Sequence, residues 1–256
     1  MGRIKDVNLA KVHIKDNFWS EKQNLIADVV IPFQEKVLND EIEGVEKSHA
    51  LANFRITAGM EEGEFYGMVF QDSDVAKWLE GVAYSLIDKP DEELEKRADE
   101  IIEVSGKAQQ PDGYLNTYFT IKEPEHRWQN LQECHELYCA GHMMEAAYYE
   151  ATGKDRLLKV MERMADHIAS RFGTDKQPGI PGHQEIEIGL MKLYHATGKD
   201  KYRELAQYFL DERGSDPAFF KKEKGAGNIL ASIRRTRSTI RALHLCGNRR
   251  RQRDTA

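Results

Sequence analysis

The sequence predicts an all-α fold assembled from helical hairpins. Three observations support this: apolar residues recur at helical spacing, alternating strand-like patterns are scarce, and a seven-residue motif starting at Tyr149 is repeated from Tyr194. Helical hairpins build either an open solenoid or a closed α/α toroid. We favour the toroid, because the polar loops at 109–129 and 178–183 both precede helices of the inward-facing type.

Four amphipathic helices can be placed from their apolar residues. These residues are spaced three or four apart, so each set forms one face of a helix. In chain order the sets are Val75, Trp78, Leu79, Val82 and Leu86; Leu157, Met161, Met164, Ala165 and Ile168; Ile186, Leu190, Leu193 and Tyr194; and Tyr202, Leu205, Ala206, Phe209 and Leu210. The charged stretch 92–103 is predicted to be a solvated helix face, and segments 67–71 and 113–119 are the candidate strands.

The repeated motif marks the turns between helices. Tyr-Glu-Ala-Thr-Gly-Lys-Asp begins at Tyr149 and recurs as Tyr-His-Ala-Thr-Gly-Lys-Asp from Tyr194. Gly153 and Gly198 suit the left-handed conformation that follows the end of a helix. The aspartate that closes each copy can cap the next helix, so each copy joins two helices of a hairpin array.

Composition restricts the class of protein. The chain has 256 residues, of which 40% are hydrophobic and 31% charged, with a formal net charge of −6 and three cysteines. No apolar run is long enough to cross a bilayer, and the polar N terminus lacks a signal-peptide core. An odd number of cysteines argues against a disulfide framework. These features predict a cytoplasmic protein with no membrane partner.

The charge is unevenly distributed along the chain. Residues 221–256 contain 11 Lys and Arg against 2 Asp and Glu, or +9, and the other residues carry the remaining 26 against 41, or −15. This tail has no Phe, Tyr or Trp to stack on bases and no docking module, so no nucleic-acid partner is predicted. We predict a folded region at 1–220 and an aberrant or disordered basic tail at 221–256.

The candidate site lies between residues 109 and 147. A Pro-Asp-Gly turn leads to Tyr114 and, further along, Trp128, whose aromatic faces suit the C–H-rich ring of a sugar but could equally pack the loop. His135, Cys139 and His142 follow on one helical face with the atoms and spacing of a zinc site. A cysteine among apolar neighbours is, however, more often simply buried.

His183 and the carboxylates Asp72 and Asp74 are candidates for different roles. His183 follows a glycine, as His142 does, and a histidine placed so at a helix start can point into a cavity or act as a cap. Asp72 and Asp74 are carboxylates two residues apart, which diverge on a helix. We therefore predict that Asp72 or Ser73 caps the helix that follows.

Several motifs occur in a fixed order along the chain. They are Lys47-Ser-His-Ala-Leu-Ala-Asn-Phe, Gly67-Met-Val-Phe-Gln-Asp-Ser-Asp-Val-Ala-Lys-Trp-Leu-Glu, Gln109-Gln-Pro-Asp-Gly-Tyr-Leu-Asn-Thr, His135-Glu-Leu-Tyr, Gly141-His-Met-Met-Glu-Ala-Ala, Gly182-His-Gln-Glu-Ile-Glu and Leu210-Asp-Glu-Arg-Gly-Ser-Asp-Pro. Together they resemble glycoside hydrolase family 127, which contains β-L-arabinofuranosidases. The resemblance covers roughly residues 5–220. It implies that residues 1–220 are the N-terminal part of an (α/α)6 glycosidase catalytic domain.

The resemblance also implies an activity. His142 and His183 match family histidines that hydrogen-bond the hydroxyls of arabinofuranose, with Tyr114, Trp128 and His135 as possible pocket lining. The implied reaction is retaining hydrolysis of terminal β-L-arabinofuranosides by a zinc-bound cysteine thiolate, with a glutamate as acid/base. An arabinofuranoside-type carbohydrate is therefore the expected partner, and zinc is the expected cofactor of the full-length family.

The family's nucleophile, acid/base and zinc ligands belong to its later half, which this chain does not match. Ser238 stands where a later family helix has a sugar-facing histidine, and the neighbours of Cys246 do not match the nucleophile motif. We expect a truncated product with no catalytic residue or metal of its own, inactive alone. The alternative is a non-catalytic helical-repeat module that binds a glycan or a protein. Uncovered helix faces would favour self-association in either case.

Overall fold

The computed structural model describes residues 11–145 and 147–215, and it confirms the all-α class. The α-helices are α1 Trp19–Leu25, α2 Ile31–Leu38, α3 Ala50–Thr57, α4 Asp72–Asp88, α5 Glu92–Ala108, α6 Thr117–Ile121, α7 Glu136–Met143, α8 Ala147–Thr152, α9 Arg156–Arg171, α10 Ile186–Thr197 and α11 Asp200–Ser215. A π-helical segment, Ile26–Val30, joins α1 to α2, and a 3-10 turn spans Pro124–His126. The predicted basic tail at 221–256 lies outside the described residues.

Neither candidate strand forms. Residues 67–71 are turn and loop, and the segment 113–119 leads into α6, which begins at Thr117. In the described ranges the extended pairing consists of one isolated bridge between Phe172 and Gln177. A short apolar alternation becomes a strand only when a neighbouring segment pairs with its backbone, and here none lies alongside.

The helices form two layers of a partial (α/α)6 toroid. Helices α4, α7 with α8, and α10 contact one another and make the inner layer. Helices α5, α9 and α11 lie outside them, each following its inner partner in the chain. All four amphipathic helices predicted from apolar spacing are present, as α4, α9, α10 and α11.

Glycine turns and one aspartate cap lie where the chain passes between the inner and outer helices. Gly153 has φ 73° and Gly198 has φ 70°, which confirms the left-handed conformation predicted for both. Asp91 caps α5 by accepting from the backbone N–H groups of Glu93 and Leu94 at 3.0 Å each. Asp155 occupies the capping position of α9 but makes no side-chain capping bond there, so the predicted cap of that helix is not formed.

The N-terminal helices pack on the toroid through one face and leave the other exposed. The indole N–H of Trp78 donates to the carbonyl of Ile31 at 3.1 Å, which fixes α2 against α4. The opposite side carries large apolar residues that are exposed: Phe18, Trp19, Leu25, Ile26, Val29 and Phe33. Among the residues described, no helix is both long and apolar enough to span a bilayer.

We predict that this exposed apolar face drives self-association. Val29 and Phe33 lie one helical turn apart and are 55% and 51% exposed. The double change Val29→Ser/Phe33→Ser should lower the apparent mass at high protein concentration in sedimentation velocity, because it removes apolar area from the face. Gln34→Ser, a change at an exposed polar side chain next to Phe33, is the control. A wild-type chain that stays monomeric at every concentration would contradict the prediction.

Candidate functional site

Four side chains form a continuous wall where the inner helices meet. His135 precedes α7, Tyr138 and His142 lie one turn apart on α7, and His183 lies in the loop before α10. The ring centroid of Tyr138 is 4.5 Å from that of His142 and 5.0 Å from that of His183. The Nε2 atoms of His135 and His183 are 3.3 Å apart. We call these four residues the histidine wall; it brings together the three histidines singled out from the sequence.

Glycines allow the backbones that carry the wall to approach one another. A Cβ atom added to Gly141 would lie 2.6 Å from the carbonyl oxygen of Glu185, and one added to Gly189 would lie 2.5 Å from the carbonyl oxygen of Gly141. Gly182 is packed as tightly against the backbone of Gln132. A larger residue at any of these positions would push the segments apart. The glycine before each predicted sugar-binding histidine therefore serves close packing.

His142 is neutral at physiological pH. Burial, with a contribution from the nearby Lys77 ammonium, lowers the pKa of His142 from 6.5 to about 4. Its Nδ1 atom lies 3.5 Å from Oε1 of Glu185, and its side chain is 16% exposed. A neutral imidazole presents one N–H donor and one acceptor nitrogen, and both can bond to a hydroxyl group.

Asp72 ties the loop after α5 to α4. Its carboxylate accepts hydrogen bonds from the Thr117 backbone N–H at 2.8 Å and from the Thr117 hydroxyl at 2.5 Å. Burial raises the pKa of Asp72 to about 6. The predicted capping role is wrong, because α4 begins without a side-chain capping bond. The acceptor oxygens of Asp72 are instead used by a residue 45 positions later in the chain.

The side chains of Tyr114 and Trp128 are both buried in the core. Tyr114 is 0% and Trp128 is 2% exposed. Glu136 accepts from the Tyr114 hydroxyl at 2.5 Å and from the Trp128 backbone N–H at 2.8 Å, while the Trp128 indole N–H donates to Nε2 of His167 at 3.2 Å. Burial raises the pKa of Glu136 to about 7. Their polar atoms are bonded inside the protein and both rings support the start of α7, and a place for them in a pocket lining stays a prediction.

The two described cysteines are buried or partly buried thiols. Burial raises the pKa of Cys139 well above its ordinary value, and burial also raises that of Cys134. In the ranges that the structure describes, no group of three or more His, Cys, Asp or Glu side chains is arranged to hold a metal ion. His135, Cys139 and His142 thus do not form the zinc site that their spacing allowed, because Cys139 is enclosed among apolar neighbours while the histidines lie on the wall.

Arg213, on α11, holds the loop that carries His183. Its guanidinium donates to the carbonyl of Pro181, and the Gln184 amide oxygen, when oriented toward it, accepts from Nε and Nη1 at 3.2 Å each. The charge of Arg213 also acts on Glu187, which is 0% exposed and whose carboxylate oxygens have no hydrogen-bond partner on another described residue. Burial raises the pKa of Glu187 to about 7.

Tyr138 and an ion cluster near His142 were missed by sequence reasoning. Lys192 of α10 contacts Glu80 of α4 at 3.3 Å and also pairs with Glu145, which follows α7. Tyr138 could have been found, because it precedes His142 by four residues and shares its helical face. The ion cluster joins residues up to 112 positions apart, and a local sequence pattern cannot predict such a pairing.

The family model of the β-L-arabinofuranosidase GH127 catalytic domain matches residues 11–246. The non-reducing end β-L-arabinofuranosidase of Bifidobacterium longum subsp. longum is 43% identical over 237 residues, which cover 85% of this chain and 36% of that protein. The chain thus spans about a third of the length of this curated relative.

Solved structures of GH127 enzymes superpose on this chain. A GH127 β-L-arabinofuranosidase from Geobacillus stearothermophilus T6 superposes with a TM-score of 0.80 at 57% identity, over 84% of this chain and 35% of that one. The GH127 β-arabinofuranosidase BT3674 superposes with a TM-score of 0.74 at 34% identity, over 82% of this chain and 34% of that one.

We predict that the Asp72 carboxylate stabilises the fold. Asp72→Ala leaves the N–H and hydroxyl of Thr117 without their acceptor in a buried place, and should lower the free energy of unfolding by about 3 kcal/mol. Asp74→Ala removes the same charge from a half-buried position and should cost about 1 kcal/mol or less. Urea denaturation measures both; equal losses would contradict the assignment.

We also predict a pH dependence of stability from Glu187. Its pKa of about 7 in the folded chain lies above the 4.5 of an exposed glutamate, so the folded state holds the proton more tightly. The stabilisation by the protonated carboxyl group is complete below pH 4.5 and is lost as the pH rises through about 7. Between pH ~5 and ~8, Glu187→Gln should therefore lose less unfolding free energy than wild type, by on the order of 1–3 kcal/mol.

The control for this measurement is Glu204→Gln, a change at an exposed position of α11. It should keep the wild-type slope of unfolding free energy against pH. Identical slopes in wild type and Glu187→Gln would show that the Glu187 carboxyl titrates as it does in the unfolded chain.

Proposed function

The chain belongs to the GH127 family of β-L-arabinofuranosidase catalytic domains, and from this premise we propose that it binds the terminal sugar of a β-L-arabinofuranoside. The observation that carries the proposal is the histidine wall. Three imidazoles and a phenol are gathered at the meeting point of the inner helices, partly exposed and backed by tightly packed glycines. Convergent polar and aromatic groups on a rigid support suit a small hydroxylated ring.

The neutral state of His142 favours an uncharged sugar over an anion. His142 is held neutral, so it offers a donor and an acceptor and carries no positive charge that would attract a carboxylate or phosphate. Tyr138, four residues earlier, adds an aromatic ring that can pack against sugar C–H groups. Together these groups match the alternating hydroxyl and C–H surface of a furanose.

We further propose that these residues bind and orient the sugar for retaining hydrolysis of terminal β-L-arabinofuranosides without supplying the nucleophile. The thiols of Cys134 and Cys139 have raised pKa values, and a nucleophilic cysteine needs the opposite shift. The described residues do not fit a zinc site, so no step is assigned to a metal. The chain by itself would then act as a sugar-binding module, the second function considered from the sequence.

Binding tests this proposal directly. Isothermal titration of the 256-residue chain with methyl β-L-arabinofuranoside should show saturable binding. His142→Ala should weaken it about tenfold, because hydrogen bonds to one or two hydroxyls are lost. His126→Ala removes an exposed histidine outside the wall and should leave the dissociation constant unchanged.

Three results would contradict the proposal. Equal affinity of the chain for the α- and β-anomers of the methyl arabinofuranoside would contradict recognition of a β-L-arabinofuranoside. Equal affinity of wild type and His142→Ala for the β-anomer would show that the histidine wall is not the binding site. Release of nitrophenol from a nitrophenyl β-L-arabinofuranoside by the chain alone, abolished by a zinc chelator, would contradict the non-catalytic part and leave the binding part intact.

A further inference from the structure

We propose that His135 is a positioning residue that fixes the tautomer of His183 in the histidine wall. The tautomer follows from geometry within the described chain. Its consequence for sugar recognition rests on the proposed function, in which His183 contacts the sugar. His135 would act through its neighbour and need not touch the ligand itself.

The first step is the proton position on His135. Its Nδ1 atom lies 2.5 Å from the backbone carbonyl oxygen of Glu133. A carbonyl oxygen only accepts hydrogen bonds, so Nδ1 must carry the hydrogen. In the neutral ring Nε2 of His135 then has the lone pair.

The second step derives the proton position on His183 from that on His135. The Nε2 atoms of His135 and His183 are 3.3 Å apart, a distance at which one nitrogen donates and the other accepts. Because His135 supplies the lone pair, Nε2 of His183 supplies the hydrogen. The neutral His183 ring then has its lone pair on Nδ1, so this nitrogen is an acceptor and not a donor.

The backbone and the neighbouring rings hold His135 in place for this role. Its φ of 58° is left-handed, a conformation that histidine, asparagine and aspartate adopt more readily than most residues. Its carbonyl accepts the first hydrogen bond of α7, from the Cys139 N–H at 2.9 Å. The rings of Phe70 and Tyr138 lie 5.3 Å and 5.6 Å from the imidazole. A ring fixed on several sides keeps its Nε2 atom directed at His183.

The two sugar-binding histidines are thus oriented by different groups. His142 has the carboxylate of Glu185 beside its Nδ1 atom, at 3.5 Å. His183 is oriented through an imidazole that ends on a neutral carbonyl, a chain that sets direction without adding negative charge. The hydrogen bond made by one ring nitrogen decides which form the other presents.

The test reads the tautomer directly. Long-range ¹H–¹⁵N spectra of the full chain should show His183 protonated at Nε2. His135→Asn suits the left-handed backbone but is too short to reach His183, so the Nε2–H form should give way to a mixture of tautomers. His135→Gln places an acceptor oxygen near the position of the lost Nε2 atom and should restore the wild-type spectrum.

Sugar binding should follow the spectra. The dissociation constant for methyl β-L-arabinofuranoside should rise about fivefold to tenfold in His135→Asn and return toward the wild-type value in His135→Gln. Thermal melting of each variant identifies any loss of folding. A purely structural role for His135 would lower the melting temperature without changing the His183 tautomer.

Two outcomes overturn the inference: His183 protonated at Nδ1 in the wild-type chain, or an unchanged tautomer in His135→Asn. The wild-type spectrum alone decides the first, whether or not a variant folds. If the spectra behave as expected but the wild-type chain binds no arabinofuranoside, the tautomer assignment stands, while the proposed function and the sugar-binding consequence fail.

Discussion

The backbone contact between α7 and α10 is the constraint on which the histidine wall depends. Gly141 and Gly189 face the opposing backbones so closely that a Cβ atom at either position would come within 2.6 Å of them. This contact places the loop before α10 beside the start of α7. His183 consequently reaches Tyr138, which comes from a different hairpin. The imidazoles can converge only because the helices meet at glycines, with no side chain between their backbones.

Buried carboxylates hold the surroundings of the wall at an electrostatic cost. Asp72 anchors the loop after α5, Glu136 bonds the core rings beneath α7, and Glu187 lies under the influence of Arg213 near the His183 loop. Burial raises the pKa of each carboxyl group, which measures how unfavourable the charge is in that place. The same dry environment keeps His142 neutral, so the packing that supports the wall also sets its protonation.

The site was only partly predictable from sequence. His142 and His183 were identified by their glycine neighbours and by family resemblance, and the structure brings them to one wall. From sequence Tyr114 and Trp128 are possible pocket lining or packing residues, because aromatic side chains serve both sugar stacking and core packing. Which role applies depends on Glu136, whose carboxylate binds both residues inside the core. The sequence pattern around either ring contains no sign of that partner.

The sequence by itself determined the four amphipathic helices α4, α9, α10 and α11 and the turns at Gly153 and Gly198. Apolar residues at helical spacing can be buried only by a helix, and Gly153 and Gly198 suit the left-handed φ that ends one. Tertiary structure alone decided the partner of Asp72, the burial of Tyr114 and the meeting of His135 with His183. These contacts join residues 45, 22 and 48 positions apart. Local propensity acts over a few residues, whereas such pairings are fixed only when the hairpins pack.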